Sequence, residues 1–220
     1  TARKQQQIEE ENRKRKEQED YVNLVRNQFE SVIVDFFERF VDEYNNHLAG
    51  NDKCRFESDM QDFELMELFS YHLTIPSVTD IKVKCKVILP NSFTRVVDVD
   101  RAYGLLDMDD VGYGSYEVAY TPQYKNRNIM GWVEIVNTNG LGFNLWLVQT
   151  DEIYGDWYIL RNKNNAIYLT QYKPKQEPFA FKIDELDKAL RGINATSLYS
   201  SNVELFDEQK LMGLVAQLIS

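Results

Sequence analysis

The stretch Ile81-Lys82-Val83-Lys84-Cys85-Lys86-Val87-Ile88-Leu89 decides the fold class. Ile81, Val83, Cys85, Val87 and Leu89 alternate with three lysines, and a period of two sends neighbouring side chains to opposite faces of a strand. The run reads as a half-buried strand with one apolar and one wet face. Lysines about 7 Å apart along such a face guard an edge or meet water, and they would also suit an anion or an acidic partner. Cys85, on the apolar side, reads as a small buried hydrophobe.

Downstream the chain keeps this character. Pro90 and Asn91 interrupt it, and residues 93–99 form a second strand with Val97 and Val99 opposite Asp98 and Asp100. After a Gly- and Asp-rich loop over 103–115, further strands are expected over 116–120, 128–137, 141–149, 153–161 and 166–172. Asn139-Gly140 predicts a two-residue hairpin of type I′, whose central residues both need positive φ, and residues 162–165 look like another reversal. Short turns between successive strands imply an antiparallel meander.

Upstream the periodicity is helical. Val22, Val25, Phe29, Val32, Ile33, Phe36 and Phe40 recur at spacings of three and four, predicting a core-facing helix over about 21–49 that stops at Gly50. Ser58 and Gln61 match a capping box, and Met60, Phe63, Met66, Phe69 and Leu73 predict a second helix over about 58–74, ended by Pro76. Residues 1–20 hold six basic and six acidic side chains with almost nothing apolar but Ile8. Pairs such as Glu9 with Arg13 and Glu10 with Lys14 support an exposed helical arm with no face to bury. Near the C-terminus two short helices are expected, over about 183–192 and 204–219, the second opened by a capping box of Ser201 and Glu204.

The expected fold is α+β: an antiparallel meander of five to seven strands under two N-terminal helices, with short helices at the C-terminus. Residues 1–20 form the arm and 21–220 a single domain. The order of long helix, shorter helix and meander resembles the layout of cone-shaped helix-on-sheet folds such as the nuclear-transport-factor-2-like group. No motif accompanies that layout, so no residue role is carried over from it.

Composition narrows the function. The formal charge of −10 works against binding a phosphate backbone, so no nucleic-acid partner is expected. Two cysteines, Cys54 and Cys85, build neither a zinc ribbon nor a disulfide framework, though a single bridge between them stays open. No apolar run reaches the length of a membrane span, so the chain is expected to be soluble and not to insert by itself. Its start at Thr1 reads as the cut end of a fragment, and loss of an upstream signal, anchor or domain, with an extracytoplasmic location, is one expectation.

No catalytic constellation, cofactor motif or metal motif is complete. Asp98, Asp100, Asp107, Asp109 and Asp110 crowd one stretch, and such carboxylates suit a hard cation. However, Asp107-x-Asp109-x-Val111-Gly112 lacks an oxygen ligand at its fifth position and has Val118 where a bidentate Glu belongs, so a solvated acidic loop is expected. His47 and His72, each placed near a helix end, read as exposed cations on a helix dipole. Gly112-x-Gly114 precedes a strand and lacks a third glycine, which fails the dinucleotide fingerprint. Asn194-Ala195-Thr196 matches a glycosylation acceptor that matters only in a eukaryotic secretory route.

The aromatic residues carry more. Alternation sets Trp132 opposite Val133 and Trp146 opposite Leu145 and Leu147, which turns both tryptophans away from the apolar core. Trp132, Trp146 and Trp157 with Tyr116 and Tyr120 are therefore the expected binding surface, because Tyr and Trp supply large contact area at low entropic cost. The expected function is a noncatalytic interaction or assembly module for a protein or peptide, with a glycan as the second ligand class. The alternative is a hydrolase or small-ligand binder using the acidic 98–110 stretch in a pocket between helices and sheet.

Overall fold

The computed structural model of the protein describes residues 2–47, 52–59, 67–99, 114–151, 154–165, 175–193 and 198–220. Its described elements, in chain order, are α1 (Ala2–Phe29), a π-helical turn (Glu30–Val34), α2 (Asp35–Asn46), β1 (Arg55–Ser58), β2 (Leu68–Ile75), β3 (Thr79–Val87), β4 (Phe93–Val99), β5 (Gly114–Tyr120), β6 (Gln123–Tyr124), β7 (Arg127–Asn137), β8 (Gly142–Gln149), β9 (Gly155–Asn164), α3 (Leu186–Gly192), β10 (Tyr199–Leu205) and α4 (Glu208–Ile219). The strands pair antiparallel in the order β1-β2-β3-β7-β8-β9-β10, with β6 folded against β7, while β4 and β5 form a separate two-stranded ribbon. The α+β class and the antiparallel meander both hold.

The stripe that begins at Val22 lays the long helix on one face of the sheet. Val22, Val25, Phe29, Ile33 and Phe37 pack there with Val83, Val133, Leu145 and Ile159 from the strands and with Leu211, Leu214 and Leu218 from α4. Gly131 on β7 lets the helix come close, since a Cβ there would lie 3.3 Å from Val25 Cγ1. The helix is interrupted where three β-branched residues, Val32, Ile33 and Val34, lower α-helical propensity. In the resulting π turn the Asp35 N–H reaches back to Glu30 O, and Ile33, Val34, Phe36 and Phe37 are all buried.

At its N-terminal end α1 leaves the sheet, and every residue from 3 to 18 is exposed. Lys14 pairs with Glu10 at 2.9 Å, as the spacing predicts, whereas Arg13 turns to Glu17 at 3.6 Å instead of Glu9.

The expected second helix over 58–74 is overturned for its C-terminal half, which is strand β2; residues 60–66 lie outside the described set. Phe69 and Leu73 fit a helical spacing of four, but with Tyr71 and Ile75 they also fit a period of two, and all four meet the principal core. The composition Phe-Ser-Tyr-His-Leu-Thr-Ile, rich in aromatic and β-branched residues, favours the extended choice. Pro76 opens a turn in which Ser77 takes φ 61° and Val78 N donates to Ile75 O at 3.0 Å. That is the Pro-then-positive-φ pattern of a type II turn. The likeness of layout to helix-on-sheet folds is reduced accordingly to one long helix over a sheet.

Two further details differ from expectation. The β7–β8 hairpin exists, but only Gly140 has positive φ, 82°, and Gly140 N donates to Asn137 O at 3.0 Å. The loop is thus a type I turn followed by a left-handed glycine, and Asn137 Oδ1 steadies it by accepting from Asn139 N and Leu141 N. Helix α4 is capped by Asp207, whose Oδ1 accepts from Lys210 N at 3.0 Å, in place of the Ser201 and Glu204 box. The strand expected over 166–172 falls outside the described residues.

The opposite face of the sheet carries a second core. Trp132, Trp146, Val148 and Leu160 are covered there by Phe179, Phe181, Leu186 and Ala189, from a strap over 175–183 and from α3. Lys82, Lys84 and Lys86 project on this side from an interior strand flanked by β2 and β7, so they do not guard an edge.

Candidate binding cleft

The ribbon leaves the sheet after β3. Its register sets Phe93 opposite Tyr120, Arg95 opposite Val118 and Val97 opposite Tyr116. Directly paired residues share a face, so these six lie on one side of the ribbon, with Val96 and Glu117 on the other. Anchoring is concentrated at the root. Phe93 packs against the second core, Asn91 N donates to Thr121 Oγ1 at 2.8 Å, and Tyr120 Oη donates to Asp187 Oδ1 on α3 at 2.9 Å. Beyond the root the side chains are open: Val96 is 64% and Tyr116 53% exposed.

A second wall comes from the β6–β7 turn, where Lys125 and Asn126 both have positive φ, 50° and 61°, the type I′ pattern. Asn tolerates this conformation through its short polar side chain. Behind the turn the Tyr124 ring rests 5.2 Å from that of Trp146 and 5.3 Å from that of Tyr158. Gln123 Nε2 donates to Asn128 Oδ1 at 3.0 Å, which holds the β6–β7 pair closed.

Ribbon, turn and the end of α3 enclose an open cleft of about 1060 Å³. It offers two tyrosine rings, Tyr120 and Tyr124; two cations, Arg95 and Lys125; the amides of Asn91, Gln123 and Asn128; and an apolar floor that includes Leu190 and Ile193. Each cation stands over a ring: Arg95 Cζ lies 5.5 Å from the Tyr120 centroid and Lys125 Nζ 5.2 Å from that of Tyr124. The cleft's equipment is that of recognition by stacking, hydrogen bonding and charge.

The expected surface is therefore split. Tyr120 lines the cleft and Tyr116 continues the same ribbon face, but Trp132 and Trp146 are 0% exposed and Trp157 5%. The tryptophans are a correction to the expected binding surface. Trp132 and Trp146 do face away from the principal core, as alternation requires, and the strap and α3 then seal that side as well. Among the described residues the indole N–H groups of all three have no hydrogen-bond partner.

Of the acidic stretch, Asp98 belongs to β4, where its backbone lies opposite Ser115, while Asp100, Asp107, Asp109 and Asp110 lie outside the described residues. Among the described residues no three His, Cys, Asp or Glu side chains are grouped to hold a metal ion. His47 caps α2, as expected of a helix end, whereas His72 lies within β2 with Nε2 3.6 Å from Asp59 Oδ2. Cys54 and Cys85 are free thiols, both buried, and burial raises the pKa of each.

The strap is held by a buried polar ladder. Asn144 Oδ1 accepts from Phe181 N at 2.7 Å and from Asn162 Nδ2 at 2.7 Å; its own Nδ2 donates to Phe181 O at 2.8 Å and Val133 O at 3.1 Å. Ser201 Oγ donates to Asn162 Oδ1 at 2.7 Å. Glu134 Oε2 accepts from Ile183 N at 3.0 Å. Burial raises the carboxyl pKa of Glu134, against the opposing pull of that hydrogen bond, Lys84 and Lys182. These bonds all close within the protein, so the ladder positions the strap.

Arg95, Tyr124 and Lys125 did not stand out in the sequence as a site. The usable signals were Arg95 sharing a strand face with Val97, and Lys125-Asn126 as a turn between two short polar strands. Comparison of the chain with protein-family models, with curated proteins and with solved structures finds no match.

Proposed function

We propose that the protein is a noncatalytic interaction module that receives an extended segment of a partner protein along the ribbon and into the cleft. The observation that carries this reading is the shared ribbon face, on which exposed Tyr116 and cleft-lining Tyr120 stand four residues apart. Four residues of strand span about 13 Å, and the Tyr124 ring extends the track beyond the ribbon root. An open track with rings at intervals and amides between them fits a main chain better than an enclosed small molecule, which takes a more closed and apolar pocket.

The test is an amide-resolved NMR titration of the protein with short peptides, neutral oligosaccharides and small organic acids. Shifts grouped on Tyr116, Ala119, Thr121, Lys125 and Asn128 with peptides are the expected result. Peptides that move no amide of this group, or oligosaccharides that alone move it, would overturn the reading.

A further inference from the structure

We infer that the segment taken by this cleft is acidic, so that its carboxylates meet Arg95 and Lys125. This rests on the binding reading above and deepens it by naming the partner's chemistry. The chain has 35 acidic against 25 basic residues, yet among the described residues no carboxylate lines the cleft. Elsewhere the arginines of the folded body are commonly neutralised: Arg26 pairs with Glu30, Arg39 with Asp35 and Glu208, Arg127 with Asp156, and Arg161 with Glu204. Arg95 and Lys125 have no carboxylate within ion-pair distance among the described residues; each rests on a tyrosine face instead.

That placement leaves the charges available. A guanidinium lying over a ring keeps its N–H edge free, and that edge matches a carboxylate in a two-point contact. An ammonium over a ring keeps donors pointing outward for a second acceptor. Among the described residues the lining adds no local negative charge, and two cations held near the track favour the encounter with an acidic partner. Phosphate or sulfate groups share the anionic chemistry, but the ribbon's row of Tyr116, Val118 and Tyr120 contributes nothing specific to a bare anion. It fits the side chains of an extended peptide.

Fluorescence anisotropy tests this with a labelled octapeptide carrying Glu at alternate positions, its Gln counterpart, inorganic phosphate and a sulfated oligosaccharide. The Glu peptide is expected to bind about tenfold more tightly than the Gln peptide, with affinity falling as salt rises. Arg95→Gln and Lys125→Gln are each expected to weaken it about three- to fivefold, the range of an exposed ion pair. Both side chains are exposed, and unchanged far-UV circular dichroism would verify that these variants fold. A Gln peptide that binds equally well and moves the cleft amides would overturn the acidic preference while the binding reading stands. If neither peptide moves those amides, both fall. Displacement of the Glu peptide by phosphate or the sulfated oligosaccharide at lower concentration than unlabelled peptide would also overturn the peptide assignment.

Discussion

Asn144 and Asn162 are almost fully buried polar side chains, and each meets the backbone of the strap that crosses the sheet. A buried amide left without partners costs about 1–3 kcal/mol, so such a ladder is tolerable because its members are satisfied together. Glu134 is the titratable member. Its folded-state pKa lies above the ordinary 4.5 because burial disfavours the anion. A carboxyl raised in this way binds its proton more tightly in the native than in the unfolded chain. Its contribution is thus present at low pH and is lost as pH rises from the unfolded value through the folded one. Glu134→Gln keeps an acceptor for Ile183 N and removes the charge. The variant is expected to be more stable than the parent at about pH 7 and to show no such gain at about pH 3.5, read from urea midpoints at the two pH values. These roles were not legible in the sequence, because the strap groups that Asn144 and Glu134 hold, at Phe181 and Ile183, meet them only when residues 175–183 lie across the sheet.

Among the elements, local patterns were most readable where they repeated longest. The stripe from Val22 to Phe40 and the alternation from Ile81 to Val87 each persist over several turns or pleats, and the helix and β3 appear where expected. Residues 68–75 carried two periods at once, and aromatic and β-branched composition decided between them in favour of a strand. The π turn had no Gly or Pro to announce it; three consecutive β-branched residues were its one local sign. The β4–β5 ribbon pairs with no other described strand. A two-stranded hairpin is marginal on its own in water, and this one is tied to the domain at its root. Tyr120→Phe removes the bond to Asp187, worth about 1 kcal/mol, and is expected to accelerate ribbon amide exchange roughly fivefold while β8 is unaffected. Equal acceleration in both would show that the bond supports the whole domain and not the ribbon.

Across the whole molecule, one sheet serves two cores. Strands β7, β8 and β9 contribute Val133, Leu145 and Ile159 to one and Trp132, Trp146 and Leu160 to the other, so neither face can be lost without exposing the backbone that the other depends on. Trp157 reports the helix side, and Trp132 with Trp146 the strap side. Unfolding of Trp157→Phe followed through the remaining two, and of the double variant Trp132→Phe with Trp146→Phe followed through the remaining one, is expected to coincide in each case with the far-UV transition of the same protein. Non-coincidence would mean that the two sides melt separately. This arrangement also explains why Trp132 and Trp146, two of the five residues of the expected binding surface, are buried. Alternation tells on which face a ring lies, but whether that face meets water depends on a strap about forty residues away in sequence.

Cys85 lies on β3 with β2 on one flank and β7 on the other, shut off from solvent and with its thiol held strongly toward the protonated form. Alkylation needs an accessible thiolate, and the closed sheet offers neither access nor charge. Once Cys54 is replaced by Ser, capture of this sulfur by a maleimide becomes a chronometer for rupture of the sheet interior, ticking only when strands part, with no label added beforehand.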